Sequence, residues 1–275
     1  RNPFTRQYSI GYGRQVGANL GLSVDFTMAN GANQHTTIDR NYFASPEDRA
    51  RGIRPMPQFG RITEDRTDGR LRYRSLEIRP DRRMFGRWQF LASYTLAFAK
   101  IDAEGLPADQ FDRAADYGYA TADRRHRGVL SGIVDVYRGI QVSGILQYQS
   151  SLPLDVTAGR DLNLDGLAND RPGGIQINGG CRGVDLGIVN AYRSASGVAP
   201  VDGITCGDFL TVNTQVSRTF RLRGEHRVGI VFQVFNLLNR ANRLPAVGNA
   251  LSPLFGQSLQ VANARQGEIA LRYDF

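Results

Sequence analysis

One short segment carries oxygen ligands at a spacing that suits a hard metal cation. In DLNLDGLAND, Asp161, Asn163 and Asp165 occupy alternate positions, and Gly166 follows them directly. Alternation can direct three side-chain oxygens to one point, while the glycine allows the sharp turn of a calcium loop. The twelfth position is Pro172, where an EF-hand has a bidentate glutamate. The segment therefore predicts either a structural calcium site of another kind or an Asx-rich turn. The predicted calcium ligands are Asp161, Asn163, Asp165, Asn169 and Asp170.

The other titratable residues do not form a catalytic pattern. His35, His126 and His226 each lack a second ligand at metal-binding spacing, so each is predicted to be an ordinary polar residue. No GxSxG, HExxH or phosphate-binding glycine motif occurs in a suitable context. Carboxylate pairs such as Glu64 and Asp65 lie in a polar segment without the burial that tunes a catalytic acid. We therefore predict that the chain is not an enzyme.

The two cysteines, Cys181 and Cys206, lie in one long segment that is rich in glycine and asparagine. An even number of cysteines in a loop of an exported protein favours a disulfide. We therefore predict a bridge between Cys181 and Cys206, with two reduced thiols as the alternative.

The positive charge of the chain is carried almost entirely by arginine. The net charge is +8, and Lys100 is the only lysine. The arginines are spread over turns and strands without forming a basic stripe or an aromatic–basic motif, so nucleic acid is not a predicted partner. This distribution fits lipid headgroups or lipopolysaccharide phosphates in an outer membrane, which are the predicted surface partners.

The elements that must hold these residues are amphipathic strands. In the clearest of them, Trp88, Phe90, Tyr94 and Phe98 share one face, while polar or small residues fill the other. A period of two is typical of a strand with one apolar and one wet face. The nine predicted strands span about residues 5–16, 20–30, 70–80, 87–100, 126–136, 140–157, 209–222, 226–238 and 265–275.

Short and long connections alternate between the predicted strands. Each strand offers the roughly 9–11 residues of a tilted membrane crossing, and no apolar run approaches the ~18 residues of a membrane helix. Strands cross lipid only in a closed sheet. We therefore predict an all-β, antiparallel transmembrane β-barrel segment in the outer membrane of a Gram-negative bacterium, with short periplasmic turns and long extracellular loops. The predicted long loops are residues 31–69, 101–125, 158–207 and 239–263.

The number of predicted strands indicates an incomplete wall. Bacterial single-chain barrels have an even number of strands, whereas nine are predicted here. We expect residues 1–275 to form the C-terminal part of a larger barrel, the alternative being that one strand is missed or invented.

Several stretches together resemble the C-terminal barrel half of TonB-dependent outer-membrane receptors. They are RLRYRSLEIRPDRRMFGRWQFLASYTLAFAKID, DRRHRGVLSGIVDV, GILQYQSSLPLDVTAGRDLNLDGLANDRPGG, FQVFNLLNRAN and the terminal LRYDF. Within that family they resemble the Oar-like subfamily, which carries a carboxypeptidase-regulatory-like domain. The resemblance implies a barrel of about 22 strands with a plugged lumen, powered by TonB–ExbB–ExbD through the plug. The chain itself contains no plug, TonB-contacting segment or regulatory domain.

Two further assignments follow from this resemblance. Asn236 and Asn239 mark the outer end of the penultimate strand, where they are expected to cap the strand end with their side-chain amides. Direct contact with ligand is the alternative. The last strand resembles the signal that the barrel-assembly machinery recognises, with Phe275 facing lipid at the periplasmic interface; a chance amphipathic strand is the alternative. The predicted signal residues are Gln266, Gly267, Ile269, Leu271, Tyr273 and Phe275.

Three functions are compatible with these patterns. The first is the wall of a TonB-dependent receptor that takes up an unidentified ligand. The second is a TonB-independent outer-membrane channel or adhesin barrel. The third is a secreted, calcium-stabilised β-sandwich, which requires its apolar strand faces to be buried against a second sheet. That model predicts burial of Leu22, Val24, Phe90, Tyr94, Leu271 and Tyr273.

Overall fold

The computed structural model describes residues 1–102 and 105–275, so Ala103 and Glu104 of the predicted loop 101–125 lie outside the described residues. One large antiparallel sheet dominates the structure. The strands are β1 (Phe4–Val16), β2 (Leu20–Asp39), β3 (Thr63–Phe85), β4 (Trp88–Ile101), β5 (Gly118–Tyr119), β6 (His126–Tyr137), β7 (Ile140–Gln149), β8 (Pro153–Leu154), β9 (Gly179–Gly180), β10 (Phe209–Arg221), β11 (Arg227–Phe235) and β12 (Gln266–Asp274).

The main strands pair in the order in which they occur along the chain. Among the described residues, nine strands run edge to edge as β1-β2-β3-β4-β6-β7-β10-β11-β12, each antiparallel to its neighbours, and the two-residue β5 joins β4. Strands β8 and β9 form a separate small ribbon. Within the part of the chain that the structure describes, the sheet is open, with β1 and β12 as its edges. The predicted all-β, antiparallel fold is confirmed.

The register places most of the apolar residues of the nine strands on one face. Ile10 lies opposite Phe26, which lies opposite Leu76, which lies opposite Leu96. Because side chains alternate along a strand and align across a ladder, this row extends the period-two pattern over the whole sheet. The face is not covered by a second sheet; Leu271, for example, is 74% exposed. The β-sandwich alternative is therefore wrong.

Four short turns join the strands at one end of the sheet, where the strand termini lie. They connect β1 to β2, β3 to β4, β6 to β7 and β10 to β11, and each contains a glycine with a positive φ. Glycine adopts this backbone conformation without the steric cost that a Cβ would bring, so these positions fix the tight reversals. The turn glycines are Gly17, Gly86, Gly139 and Gly224.

Strands β2 and β3 extend far beyond their predicted ends. They remain paired up to Asp39 and Thr63, past a register shift near Asn33, whereas residues 31–69 were predicted to be a loop. Outside an apolar layer neither face of a strand needs apolar residues, so the alternation ends while the hydrogen-bonded ladder continues. We call residues 31–39 and 63–69 the projecting hairpin. Conversely, β7 ends at Gln149 and β11 at Phe235, earlier than predicted.

The four long connections lie at the opposite end of the strands and contain the described helices. Helix α1 spans Pro46–Ala50, and α2 spans Leu186–Ala195 inside the predicted loop 158–207. The Asp185 side chain caps α2 by accepting hydrogen bonds from the backbone N–H groups of Gly187 and Ile188. None of the described helices is both long and apolar enough to cross a membrane.

Candidate functional site

The long connections pack into a body that we call the loop cap, consisting of residues 40–62, 105–125, 150–208 and 236–265. Its apolar core joins the third and fourth of these connections around α2. A core that excludes water makes the loops a folded unit with a defined surface, as a preformed binding site requires. The buried core residues are Leu154, Val156, Cys181, Val189, Ala250 and Phe255.

Arg193 of α2 is a buried anchor of the loop cap. It is only 2% exposed, and its guanidinium donates hydrogen bonds to the backbone carbonyls of Ala199, Ala250 and Ser252. The group also lies over the Phe255 ring, 5.6 Å from the centroid. A buried charge is stable only when its donors are satisfied, so this arginine fixes how residues 250–252 lie on α2.

Cys181 and Cys206 are joined by a disulfide. Both residues lie at the apolar core, 25 positions apart, on either side of α2. The bond therefore closes the segment that contains the helix and limits how far that segment can open.

Ion pairs connect the loops of the cap to one another. Arg171 contacts Asp155 at 2.8 Å and Asp116 at 2.9 Å, and Arg49 contacts Asp109 at 2.9 Å. Burial opposes the charge of Arg171, but its hydrogen bonds and attraction to Asp155 and Asp116 raise the pKa of the guanidinium. These contacts join three of the four connections, so the cap is held by charge as well as by apolar packing.

The predicted calcium segment forms an Asx-rich turn. The Asp161 carboxylate accepts hydrogen bonds from the backbone N–H groups of Leu164 and Gly166, each at 2.7 Å. Asp170 accepts one from Leu162 at 2.7 Å. Within the described ranges, no three acidic, histidine or cysteine side chains converge as they do around a metal ion. The geometry matches the turn that the sequence offered as the alternative, and calcium binding stays a prediction.

Two carboxylates of this turn lie in an unfavourable environment. Burial, with repulsion from Asp161, raises the pKa of both Asp165 and Asp170. Two neighbouring arginines donate hydrogen bonds to backbone carbonyls of the turn. Arg54 donates to Asp165 and Arg61 donates to Gly166, each at 3.1 Å. The other two predicted ligands not yet described, Asn163 and Asn169, donate side-chain hydrogen bonds to backbone carbonyls of the 105–125 connection. The turn is thereby attached to the rest of the loop cap.

The face opposite the apolar row is concave and polar. A depression of about 600 Å³ lies at its centre, across β3, β4, β6, β7, β10 and β11. Amide and hydroxyl groups, which can exchange hydrogen bonds with a polar solute, alternate there with a few aliphatic side chains. Lining residues include Gln89, Leu91, Ser131, Ile133, Asn213 and Gln215.

A family model described as the outer membrane beta barrel domain matches residues 1–268. The chain belongs to this family. The protein is therefore located in the outer membrane, and the apolar row is the lipid-facing surface of a barrel wall. No protein of curated function matches the sequence.

Solved outer-membrane barrels share the fold. The outer membrane transporter YddB from Escherichia coli superposes with a TM-score of 0.57 at 11% identity, over 98% of this chain and 32% of its own. The ferric-catecholate import receptor Fiu from Escherichia coli K12 gives 0.55 at 13%, over 99% and 28%. The siderophore receptor PiuA from Acinetobacter baumannii gives 0.55 at 10%, over 97% and 28%. The chain thus spans about a third of the length of these proteins.

Asn236 and Asn239, which were predicted to mark a strand end, lie where β11 leaves the barrel wall. Asn236 has a positive φ, and its side chain bonds to the backbone of Arg240 and Asn263 at 3.0–3.2 Å. Asn239 accepts a hydrogen bond from the N–H of Arg265 at 3.2 Å. Both amides thus satisfy backbone groups that the ladder no longer pairs, which is the capping geometry.

The predicted assembly-signal residues form β12 and the position after it. Ile269, Leu271 and Tyr273 lie on the lipid-facing side, and Phe275 is 91% exposed. The Tyr273 hydroxyl lies 2.8 Å from Nδ1 of His226, and the two rings stack. A role of this strand in assembly stays a prediction.

Sequence reasoning missed several residues that build the site. Arg171 and Arg193 carry no motif, because their importance arises only when distant loops meet. The second Tyr–His pair, Tyr94 with His126 at 2.8 Å, was also missed. His126 makes an ordinary polar contact in it, as the sequence predicted.

Proposed function

We propose that the chain is the C-terminal wall segment of a TonB-dependent receptor that imports an unidentified ligand. The single observation that carries this proposal is a packed, disulfide-linked loop cap at one edge of a barrel wall whose other face is polar and concave. A barrel that only spans lipid needs no such cap, whereas a receptor needs a preformed surface for ligand. The fold likeness to an import receptor and a siderophore receptor supports the same reading.

The remaining parts of the proposal concern orientation and the rest of the barrel. The short turns face the periplasm and the loop cap faces outward, which is the usual arrangement of outer-membrane barrels. Other segments complete a barrel of about 22 strands and fill it with a plug. Ligand binds under the loop cap and passes along the concave face. The Oar-like subfamily is the proposed group, and the chain has no catalytic role.

The experiment uses the complete parent polypeptide, expressed in cells with and without TonB. We expect a heat-modifiable protein in the outer-membrane fraction that cross-links to TonB through its plug and stays closed in planar bilayers. A stable open conductance without cross-linking to TonB would instead establish the channel alternative and overturn the proposal.

A further inference from the structure

The lipid-facing surface has one groove that combines apolar and cationic side chains. It lies between β3 and β4 near the loop cap and encloses about 560 Å³. Tyr117 and Tyr119, from the 105–125 connection, form its upper wall. We call it the cationic groove. The side chains that define it are Phe26, Arg72, Arg74, Leu76, Leu96 and Lys100.

The strand register sorts these side chains by height. Leu76 lies opposite Leu96, and Arg72 lies opposite Lys100, four residues nearer the loop cap on β3. Since a strand rises about 3.4 Å per residue, the cations Arg72 and Lys100 lie roughly 14 Å above the leucines along the strand. Arg74 lies between the two levels, opposite Phe98. The groove is therefore apolar below and cationic above, as the boundary between acyl chains and headgroups is.

Among the described residues, no ion pair neutralises the cations of the groove. Arg70, which precedes them on the same strand, pairs with Asp102 at 2.9 Å. In the part of the chain that the structure describes, neither Arg72 nor Arg74 has a carboxylate partner. Lys100 lies over the Tyr119 ring, 4.9 Å from the centroid. Cations on a lipid-facing surface are costly without an anion, so the surroundings must supply one.

The wall of the groove has an unsatisfied polar group as well. The Tyr117 hydroxyl is buried and has no hydrogen-bond partner among residues 1–102 and 105–275. Arg70 lies over the Tyr117 ring at 4.8 Å, and Arg125 lies over the Tyr119 ring at 4.8 Å. These stacked cations hold both rings in place, so the wall is built before any ligand arrives.

We propose that the cationic groove binds one phosphorylated, multiply acylated glycolipid of the outer leaflet. Its phosphates contact Arg72, Arg74 and Lys100, and one acyl chain lies along Phe26, Leu76 and Leu96. Three cations in one groove favour a lipid with several negative charges over a zwitterionic phospholipid, whose headgroup carries its own cation. The inference rests on the proposed outward orientation of the loop cap.

The test compares two pairs of lipid-facing arginines in the complete parent protein. R72Q/R74Q removes charge from the groove, while R82Q/R218Q removes equal charge from lipid-facing positions of β3 and β10 near the short turns. Heat-modifiability verifies that each variant is folded. Lipid A retained after purification is measured by mass spectrometry, and nanodiscs with lipid A or its dephosphorylated form measure binding directly.

We expect R72Q/R74Q to lose about tenfold or more of the retained lipid A, because two charge-assisted contacts disappear. R82Q/R218Q should match the wild-type protein, and dephosphorylated lipid A should bind the wild type about tenfold more weakly. Equal retention in all variants, equal loss in both pairs, or equal binding of the dephosphorylated lipid overturns the inference. Loss of lipid A in R82Q/R218Q alone also overturns the inference, because it would mean that the short turns and not the loop cap face outward. Failure to cross-link TonB affects only the proposed function.

Discussion

In the sheet, Leu271 and Ile269 are 74% and 78% exposed, whereas in the loop cap Val189 and Phe255 are 0% and 1% exposed. The sheet places its apolar side chains outward along nine strands, and the cap places its own inward around α2. Both arrangements remove apolar surface from water. In the sheet, the acyl chains of the membrane take the place that a protein core has in the cap.

The two regions also differ in how they are fixed. The sheet is held by continuous backbone ladders, so its side chains only need to suit lipid on one face and water on the other. The cap has little regular structure, and it depends on particular contacts such as Arg193 and the Cys181–Cys206 bond. Single substitutions should therefore damage the cap locally. They should damage the sheet only when they place a charged side chain on its lipid-facing side.

The largest effect is expected for Phe255→Ala in the cap core. Removal of a buried phenylalanine costs about 3–5 kcal/mol through lost contacts and a cavity. We expect the cap to become protease-sensitive while the barrel stays heat-modifiable. Leu254→Ala, at the exposed neighbouring position, is the control. Simultaneous loss of heat-modifiability would show that the two regions are not separable.

Loss of the disulfide should have the next largest effect. Closing a segment of this length contributes roughly 3 kcal/mol by restricting the unfolded cap. The paired substitution C181S/C206S should speed proteolysis between residues 160 and 208 without changing the outer-membrane yield. Mass spectrometry of the fragments measures the cleavage positions. A cap as resistant as the wild type would mean that the apolar core alone holds it.

On the lipid face, Leu130→Arg should destabilise the barrel by about 2 kcal/mol or more, since a cation is placed in hydrocarbon. Ser131→Arg, the adjacent residue on the concave side, should have little effect because that side is wet. Urea unfolding of the parent protein in lipid vesicles measures both. Equal effects of the two variants would contradict the assignment of the faces.

The smallest effect concerns pH and the Asx-rich turn. Because the folded-state pKa values of Asp165 and Asp170 are raised, the turn loses stability as pH rises through them and regains it in acid. Asp165→Asn should remove part of this dependence in amide hydrogen exchange, while the exposed Asp202→Asn should not. Millimolar calcium should protect the turn at neutral pH if the predicted site forms; unchanged exchange would refute it.

The sequence predicted the sheet far better than the cap, for a physical reason. A wall between lipid and water imposes one periodicity on every strand, so the face that contains Phe90 and Tyr94 could be recognised residue by residue. The projecting hairpin was missed because its residues do not alternate between apolar and polar, since its buried face packs against the polar 105–125 connection and not against lipid. Helix α2 left a weak signal, namely Asp185 followed by apolar residues at Val189 and Tyr192. Two of the carbonyl partners of Arg193, those of Ala250 and Ser252, could not be predicted, since they come from a different connection.

The projecting hairpin has a consequence for what meets the cell from outside. Its ladder continues about seven residues beyond the bulge near Asn33, which corresponds to roughly 20 Å at the usual rise of a strand. On the proposed orientation, the hairpin carries residues 40–62 above the headgroups, where Arg49, Arg54 and Arg61 attach them to other loops of the cap. A phage tail, an antibody or a protease that approaches the surface therefore meets residues 40–62 as part of a packed group of loops.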